Sequence, residues 1–212
     1  MSKETIVWTA LGILLLATFL VIGISKYQAS KKYFIYEGAN GDYRIDVYTL
    51  GNQTDYYTYS LSQDQLYLIP LRKKPQDVEN IPLEPDLLGK INRPKGTRLV
   101  YITQDYDAPN KTGQLSIIAL HDIGKILGNA EYGIYKLTVK GALTTSSERS
   151  KELEVPQITC TNINDTTAVI YIKLEDENKV YSENDCIIVE GKDAEGLTLA
   201  ANKFAYYLLG VF

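Results

Sequence analysis

The chain has 212 residues, of which 45% are apolar, 23% charged and 10% aromatic, and 22 Lys plus Arg against 26 Asp plus Glu give a net charge of −4. That composition excludes a disordered chain, and a pI near 5.1 argues against a nucleic-acid partner, because phosphate binding needs a basic face. Two Cys exclude a disulfide-dense scaffold. Residues 1–4 form a short polar tail. Residues 5–24, TIVWTALGILLLATFLVIGI, carry no charge. A helix of that length spans about 30 Å, the thickness of a bilayer's hydrocarbon core. Trp8 and Tyr27 stand near its two ends, where amphipathic rings favour the interface. A cleaved signal peptide would have an apolar stretch of about 7–15 residues and a small-residue cleavage site. The segment reads instead as a single-pass signal-anchor. Lys26, Lys31 and Lys32 after it favour a cytoplasmic domain by the positive-inside rule, but long domains translocate with less regard to flanking charge. Three acceptor sequons, at Asn52, Asn110 and Asn164, tip the reading to a cell-membrane protein with an extracytoplasmic domain.

Residues 25–32 form a basic linker. Residues 33–71 are Tyr-rich: nine of the 17 Tyr lie between Tyr27 and Tyr67. Tyr33 to Tyr36 is a strand candidate, followed by an Asn-Gly turn at Asn40 and Gly41. Tyr43, Ile45, Val47 and Thr49 alternate with polar neighbours, as in a half-buried strand. Residues 56–61 and 65–71 read as two more strands of an antiparallel meander. Residues 72–97 form a Pro-rich connection with one helical turn expected near Asp86, because Pro75, Pro82, Pro85 and Pro94 remove backbone donors and restrict their neighbours.

Residues 98–212 read as an α/β domain. Residues 98–103 are an apolar strand and 105–113 a polar loop. Residues 115–127 carry apolar side chains at helical spacing, with Gly128 and Asn129 as the C-cap. Further strands are expected at 134–139, 158–161, 168–174 and 186–190, with a polar stretch at 144–154. A closing helix over 194–209 puts Leu197, Ala201, Phe204, Leu208 and Val211 on one face. The expected fold class is α+β to α/β: a transmembrane helix, Tyr-rich antiparallel strands, then a mixed sheet with two packed helices.

Motifs for catalysis are missing from the sequence. His121 is the only His, so multi-His zinc sites are excluded. There is no nucleophile elbow, P-loop or G-x-G-x-x-G. Lys192 to Gly196 follow a strand and open a helix, but Asp193 and Glu195 would repel phosphate and fit as capping carboxylates. Asp105 and Asp107 open a loop that lacks the Gly and Glu of a calcium site. At the C-terminal edge of a parallel sheet, Asp105, Asp107 and Lys192 would share a ligand crevice. Cys160 and Cys186 would meet in antiparallel neighbouring strands and lie at opposite edges in parallel ones. An outside location favours a disulfide, and a cytoplasmic one favours two buried thiols. No cofactor or metal is expected. The remaining signal is the Tyr-rich sheet, with Tyr56, Tyr57 and Tyr59 as candidate partner-binding residues.

The segment CIIVEGKDAEGLTLAANKFAYYLLGV, from Cys186 to Val211, resembles the ending of uncharacterised archaeal single-pass membrane proteins, some with S-layer-like features. The order of Ile69-Pro-Leu-Arg-Lys-Lys-Pro75 and Val100-Tyr-Ile-Thr is similar to the same group. The group carries an acidic residue near the position of Asn202, a departure here. The resemblance implies an archaeal cell envelope and supplies no catalytic residues. Together the readings give a membrane-anchored extracytoplasmic binding, envelope or accessory-subunit protein with no catalytic role, held in the lipid bilayer by residues 5–24 and meeting a protein partner there. The alternative is a membrane-tethered enzyme or small-ligand receptor using the strand-end crevice.

Overall fold

A computed structural model describes residues 13, 16–18, 32–62, 64–93, 95–105, 112–128, 133–146, 148–152 and 154–212. Of the anchor segment only Ile13 and residues 16–18 fall within these, as helix, so the expected transmembrane span lies outside the described residues. Among the described residues no helix is long and apolar enough to cross a membrane.

The protein is α+β. The first sheet is a meander of β1 (Lys32–Gly38), β2 (Gly41–Leu50), β3 (Gln53–Ser62) and β4 (Gln65–Leu71), each antiparallel to the next. The period-2 alternation of Tyr43, Ile45 and Val47 becomes burial on one side: Ile45, Thr58 and Ile69 lie opposite one another in register and face the interior. The connection then forms two short helices, α1 (Pro75–Val78) and α2 (Leu87–Ile91), where one turn was expected. Both bury apolar residues, Val78 in α1 and Leu87 and Ile91 in α2.

The second sheet has strand order β6-β5-β7-β9-β8, from β5 (Leu99–Gln104), β6 (Thr138–Leu143), β7 (Thr167–Leu174), β8 (Lys179–Glu183) and β9 (Cys186–Gly191). The first four in space run parallel, and β8 is an antiparallel edge strand absent from the sequence reading. Helix α3 (Thr112–Leu127) joins β5 to β6, α4 (Glu148–Glu152) precedes β7, and α5 (Ala194–Leu208) follows β9.

Helices α3 and α5 pack on each other between the two sheets, and one apolar cluster joins Ile45, Ile69 and Leu71 to Phe204, Tyr206, Ile123 and Ile170. The Pro-rich connection therefore separates two sheets that share a core. Being covered on both sides, α5 is buried almost all round, from Leu197 through Asn202 and Lys203 to Leu208. The chain end closes the seam. Tyr43 donates to the Gly210 carbonyl at 2.6 Å, Ala39 N–H to Val211 O at 2.9 Å, and the Phe212 ring meets Tyr36 edge-on at 5.9 Å.

Two expected strands differ. Ile134 to Val139 is displaced to Thr138–Leu143, because Ile134 and Leu137 instead donate backbone N–H groups to Ile126 O and Leu127 O at the end of α3, both at 2.9 Å. Residues 158–161 form no strand. Thr159 caps a 3-10 turn, Cys160–Asn162, and its side chain competes with ladder bonds. That turn also corrects the cysteine geometry. Strands β7 and β9 are parallel, yet Cys160 bonds Cys186 with 5.3 Å between Cα atoms, because Cys160 lies in the turn that crosses the sheet face beside the start of β9.

Candidate functional site

The second sheet has one face under α3 and α5 and one face largely open. The open face carries a small apolar cluster of Ala142, Ile158, Val169, Cys186 and Ile188, over which the turn bearing Cys160 and Ile163 packs. Thr103 donates to Ile158 O at 2.7 Å and anchors that turn. Beyond the cluster, toward the C-terminal strand ends, the same face turns polar.

Asp105 stands there. One carboxylate oxygen accepts from Tyr171 OH at 2.6 Å and the other from the Thr144 hydroxyl. Burial raises the Tyr171 pKa, and the hydrogen bond to Asp105 adds to it. Both Asp105 oxygens are thus engaged within the protein. Lys192 is exposed just after β9, its backbone N–H bonded to Asn178 Oδ1 at 3.0 Å. Strand β7 lies between β5 and β9, so two strand spacings, about 10 Å, separate the ends. No hydrogen bond or ion pair among the described residues joins Asp105 to Lys192, and Asp107 lies outside them.

The structure instead gathers charges that the sequence reading missed. Glu190 is 3% exposed and accepts from Tyr181 OH at 2.9 Å, with Lys173 Nζ and Lys179 Nζ each at 3.7 Å. Burial opposes the charge on Lys173, but Tyr181 and the neighbouring carboxylates outweigh it and raise the pKa. Together with Glu175, Asp176 and Glu177 these residues line an open cavity of about 350 Å³. Four carboxylates against two ammonium groups leave it net acidic. The available signal was a single charged residue inside an otherwise apolar strand: Glu190 in CIIVEG and Lys173 in TAVIYIKL.

A second charged group is sealed between the layers. Asp122, 1% exposed, accepts from Lys125 Nζ at 2.8 Å and from Asn202 Nδ2 at 3.0 Å, and Arg72 Nε stands 3.8 Å away. Asn202 Oδ1 in turn accepts from the backbone N–H groups of Arg72 and Lys73. Lys125 also donates to Pro70 O. These bonds tie the end of β4 to α3 and α5 and hold the two sheets in register. His121, exposed on α3, has Nδ1 3.6 Å from Asp122 Oδ1. At the start of α5, Asp193 caps by accepting from Gly196 N–H at 2.7 Å, and Glu195 pairs with Lys73.

The outer face of the meander is the third candidate. Register places Tyr33, Asp46, Tyr57 and Pro70 in one row across it, and Ile35, Arg44, Tyr59 and Leu68 in the next. Arg44 lies over the Tyr33 ring at 4.4 Å and bonds Asp46 at 2.7 Å, while Tyr59 OH donates to Asp46 at 2.6 Å. That hydrogen bond, with burial behind it, raises the Tyr59 pKa. Nine large hydrophobic side chains are strongly exposed among the described residues. Six of them, Tyr33, Ile35, Tyr48, Leu50, Leu61 and Leu66, lie on this one face. Tyr57 and Tyr59 belong to it. Tyr56 does not: it is paired with Leu71 on the opposite face and packs against the core. Neighbouring strand residues point to opposite sides, so the three Tyr cannot act together.

Of the sequons, Asn52 is exposed in the β2–β3 turn, Asn110 lies outside the described residues, and Asn164 is exposed with its side chain bonded to Thr166. Among the described residues no group of three or more His, Cys, Asp or Glu is placed to hold a metal ion. No protein-family model, curated protein or solved structure matches the chain.

Proposed function

We propose that this chain is a single-pass, membrane-anchored protein that works by binding a protein partner outside the cytoplasm, as an envelope component or an accessory subunit of a membrane complex. The observation that carries the reading is the concentration of exposed apolar side chains on the outer face of the first sheet. The uncharged run of residues 5–24 supports the anchor. The Cys160–Cys186 bond supports an oxidising compartment.

The size of the face indicates what kind of contact it makes. Four strands about 4.8 Å apart and about 30 Å long give roughly 450 Å². A standard stable interface buries about 800 Å² per partner. The face alone supports a weak contact, and co-anchoring in one membrane raises the effective concentration enough to populate it. Replacing Tyr33, Tyr57 and Leu61 together by Ser tests this: cross-linked partner recovered from membranes should fall sharply. Unchanged recovery would remove the face as the contact. Protease access to the domain in right-side-out vesicles tests the topology, and full protection would overturn it.

The 350 Å³ cavity beside Glu190 supports a second reading, a receptor for a small ligand carrying positive charge. Its site would be displaced by one to two strands from the Asp105 crevice. A thermal-shift series with amines, comparing the wild type with Glu190→Gln, separates the two readings.

A further inference from the structure

We propose that the apex of the β2–β3 hairpin rests in the headgroup layer of the bilayer that holds residues 5–24. This rests on the anchored reading above and deepens it. Such a contact sets the strands of the first sheet upright on the membrane. It turns the Tyr-bearing face sideways, toward partners anchored in the same membrane.

The geometry follows from register. The chain leaves the anchor, passes through residues 25–31 and enters β1 at Lys32. In an antiparallel meander the entry to β1 and the β2–β3 turn lie at the same end. Lys32 pairs with Val47, so β2 runs on past the entry through Tyr48, Thr49 and Leu50 before turning at Gly51 and Asn52. Three residues at about 3.4 Å each give an overhang of about 10 Å. Seven residues reach at most about 25 Å between their ends. The overhang of about 10 Å and a headgroup layer of about 5–7 Å fit within that reach.

The chemistry of the apex suits this position. Leu50 is 88% exposed at the end of β2, and Tyr48 behind it meets Tyr57 edge-on at 4.8 Å. An aliphatic tip backed by two tyrosines is the pattern that partitions to a membrane–water interface. Residues 48–54 carry no charge, and Asp55 accepts from Gln53 Nε2 at 3.0 Å. The tip therefore fits zwitterionic or uncharged headgroups, and the linker lysines are left to meet anionic ones. Leu61 and Leu66 are as apolar, but lie at the far end of the same face, about 25–30 Å further along the strands. They share the composition and lack the position.

The test uses the full chain reconstituted in phosphatidylcholine vesicles. Trp8 is the one Trp, so Trp8→Phe gives a silent background for Leu50→Trp and, separately, Leu66→Trp. We expect Trp at position 50 to be quenched several-fold more by nitroxide lipids labelled near the headgroup than Trp at 66, and to be shielded from aqueous acrylamide. Equal behaviour of the two positions overturns the proposal. Shielding of position 50 from acrylamide without quenching by lipid also overturns it, because a protein then covers the tip. Vesicle flotation is read in parallel: a chain that floats but shows no quenching at 50 keeps its anchor and loses the tip contact, whereas a chain that does not float loses both. Asn52 sits at the apex, where a glycan would hold the tip off the lipid. Intact mass should show Asn52 unmodified, and a glycan there overturns the proposal as well.

Discussion

Replacing Asp122 by Ala should be among the most damaging single changes in the protein. Asp122 and Lys125 are 1% and 6% exposed at their side chains and 2.8 Å apart. Without the carboxylate, Lys125 keeps the Pro70 carbonyl as acceptor but loses its paired counter-charge, the Asn202 amide nitrogen keeps only its bond to Thr198 O, and Arg72 loses its nearest anion. Removing one partner of a buried pair costs about 3–5 kcal/mol. That is a third or more of a typical domain's stability. Burial already lowers the Lys125 pKa, and the charge and hydrogen bond of Asp122 oppose that shift. In Asp122→Ala the opposition is gone, so the folded-state pKa falls further below the unfolded value. The unfolded state then binds more protons between the two values, and stability rises as pH rises through that window. Urea titrations of the full chain followed by circular dichroism, at neutral pH and near pH 10, measure this. The loss should shrink at the higher pH, and the double variant Asp122→Ala, Lys125→Met should recover most of it. A loss under about 1 kcal/mol, or a double variant no better than the single one, would refute the buried seam.

The remaining predictions concern other parts of the fold. The Cys160–Cys186 bond closes a separation of 26 residues, for which chain entropy gives about 3–4 kcal/mol; Cys160→Ser should lose that much in denaturant titration and remove the mobility difference between reducing and non-reducing gels. Gly191→Ala should destabilise by about 3 kcal/mol or more, read as a drop in melting temperature, because a Cβ there would stand 2.2 Å from the Leu197 backbone nitrogen at the first turn of α5. Burial pushes the Tyr135 pKa up to about 12 from 10.0. Its contribution is therefore whole below pH 10 and lost as pH rises from 10 to 12, at most about 2 kcal/mol after allowance for solvent, and Tyr135→Phe should flatten that part of the alkaline profile.

Much of this was legible in the sequence where one physical signal dominates. Ile45 is buried and Arg44 exposed, as their alternation expects, while Asp46 is buried on the outer face by its bonds to Arg44 and Tyr59 and Val47 is half-buried. Helix α5 showed its Leu197, Ala201 and Phe204 face and its Asp193 cap. Its second buried face, with Asn202 and Tyr206, was hidden because nothing local shows that a second sheet covers it. Asn202 reads as a polar interruption until the backbone of Arg72 and Lys73 is seen against it. Strand β8 escaped notice because KVYSE buries Val180 alone; it pairs with β9 along one edge and is met on the other by Pro82 and Glu84, far away in sequence. Ile134 and Leu137 are apolar for burial against α3, and that burial needs no strand. The charges around Glu190 come from three strands that only tertiary pairing brings together. The split of Tyr56 from Tyr57 and Tyr59, by contrast, was available from period-2 geometry alone.

The central claim is that the outer face of the first sheet is where this protein meets its partner. Photo-reactive side chains placed singly at positions 57 and 56, and irradiated in intact membranes, test it most directly, because one residue of spacing switches the face. The account predicts a discrete intermolecular adduct from position 57 and none from position 56. Adducts from both in equal yield, or from neither, would contradict it.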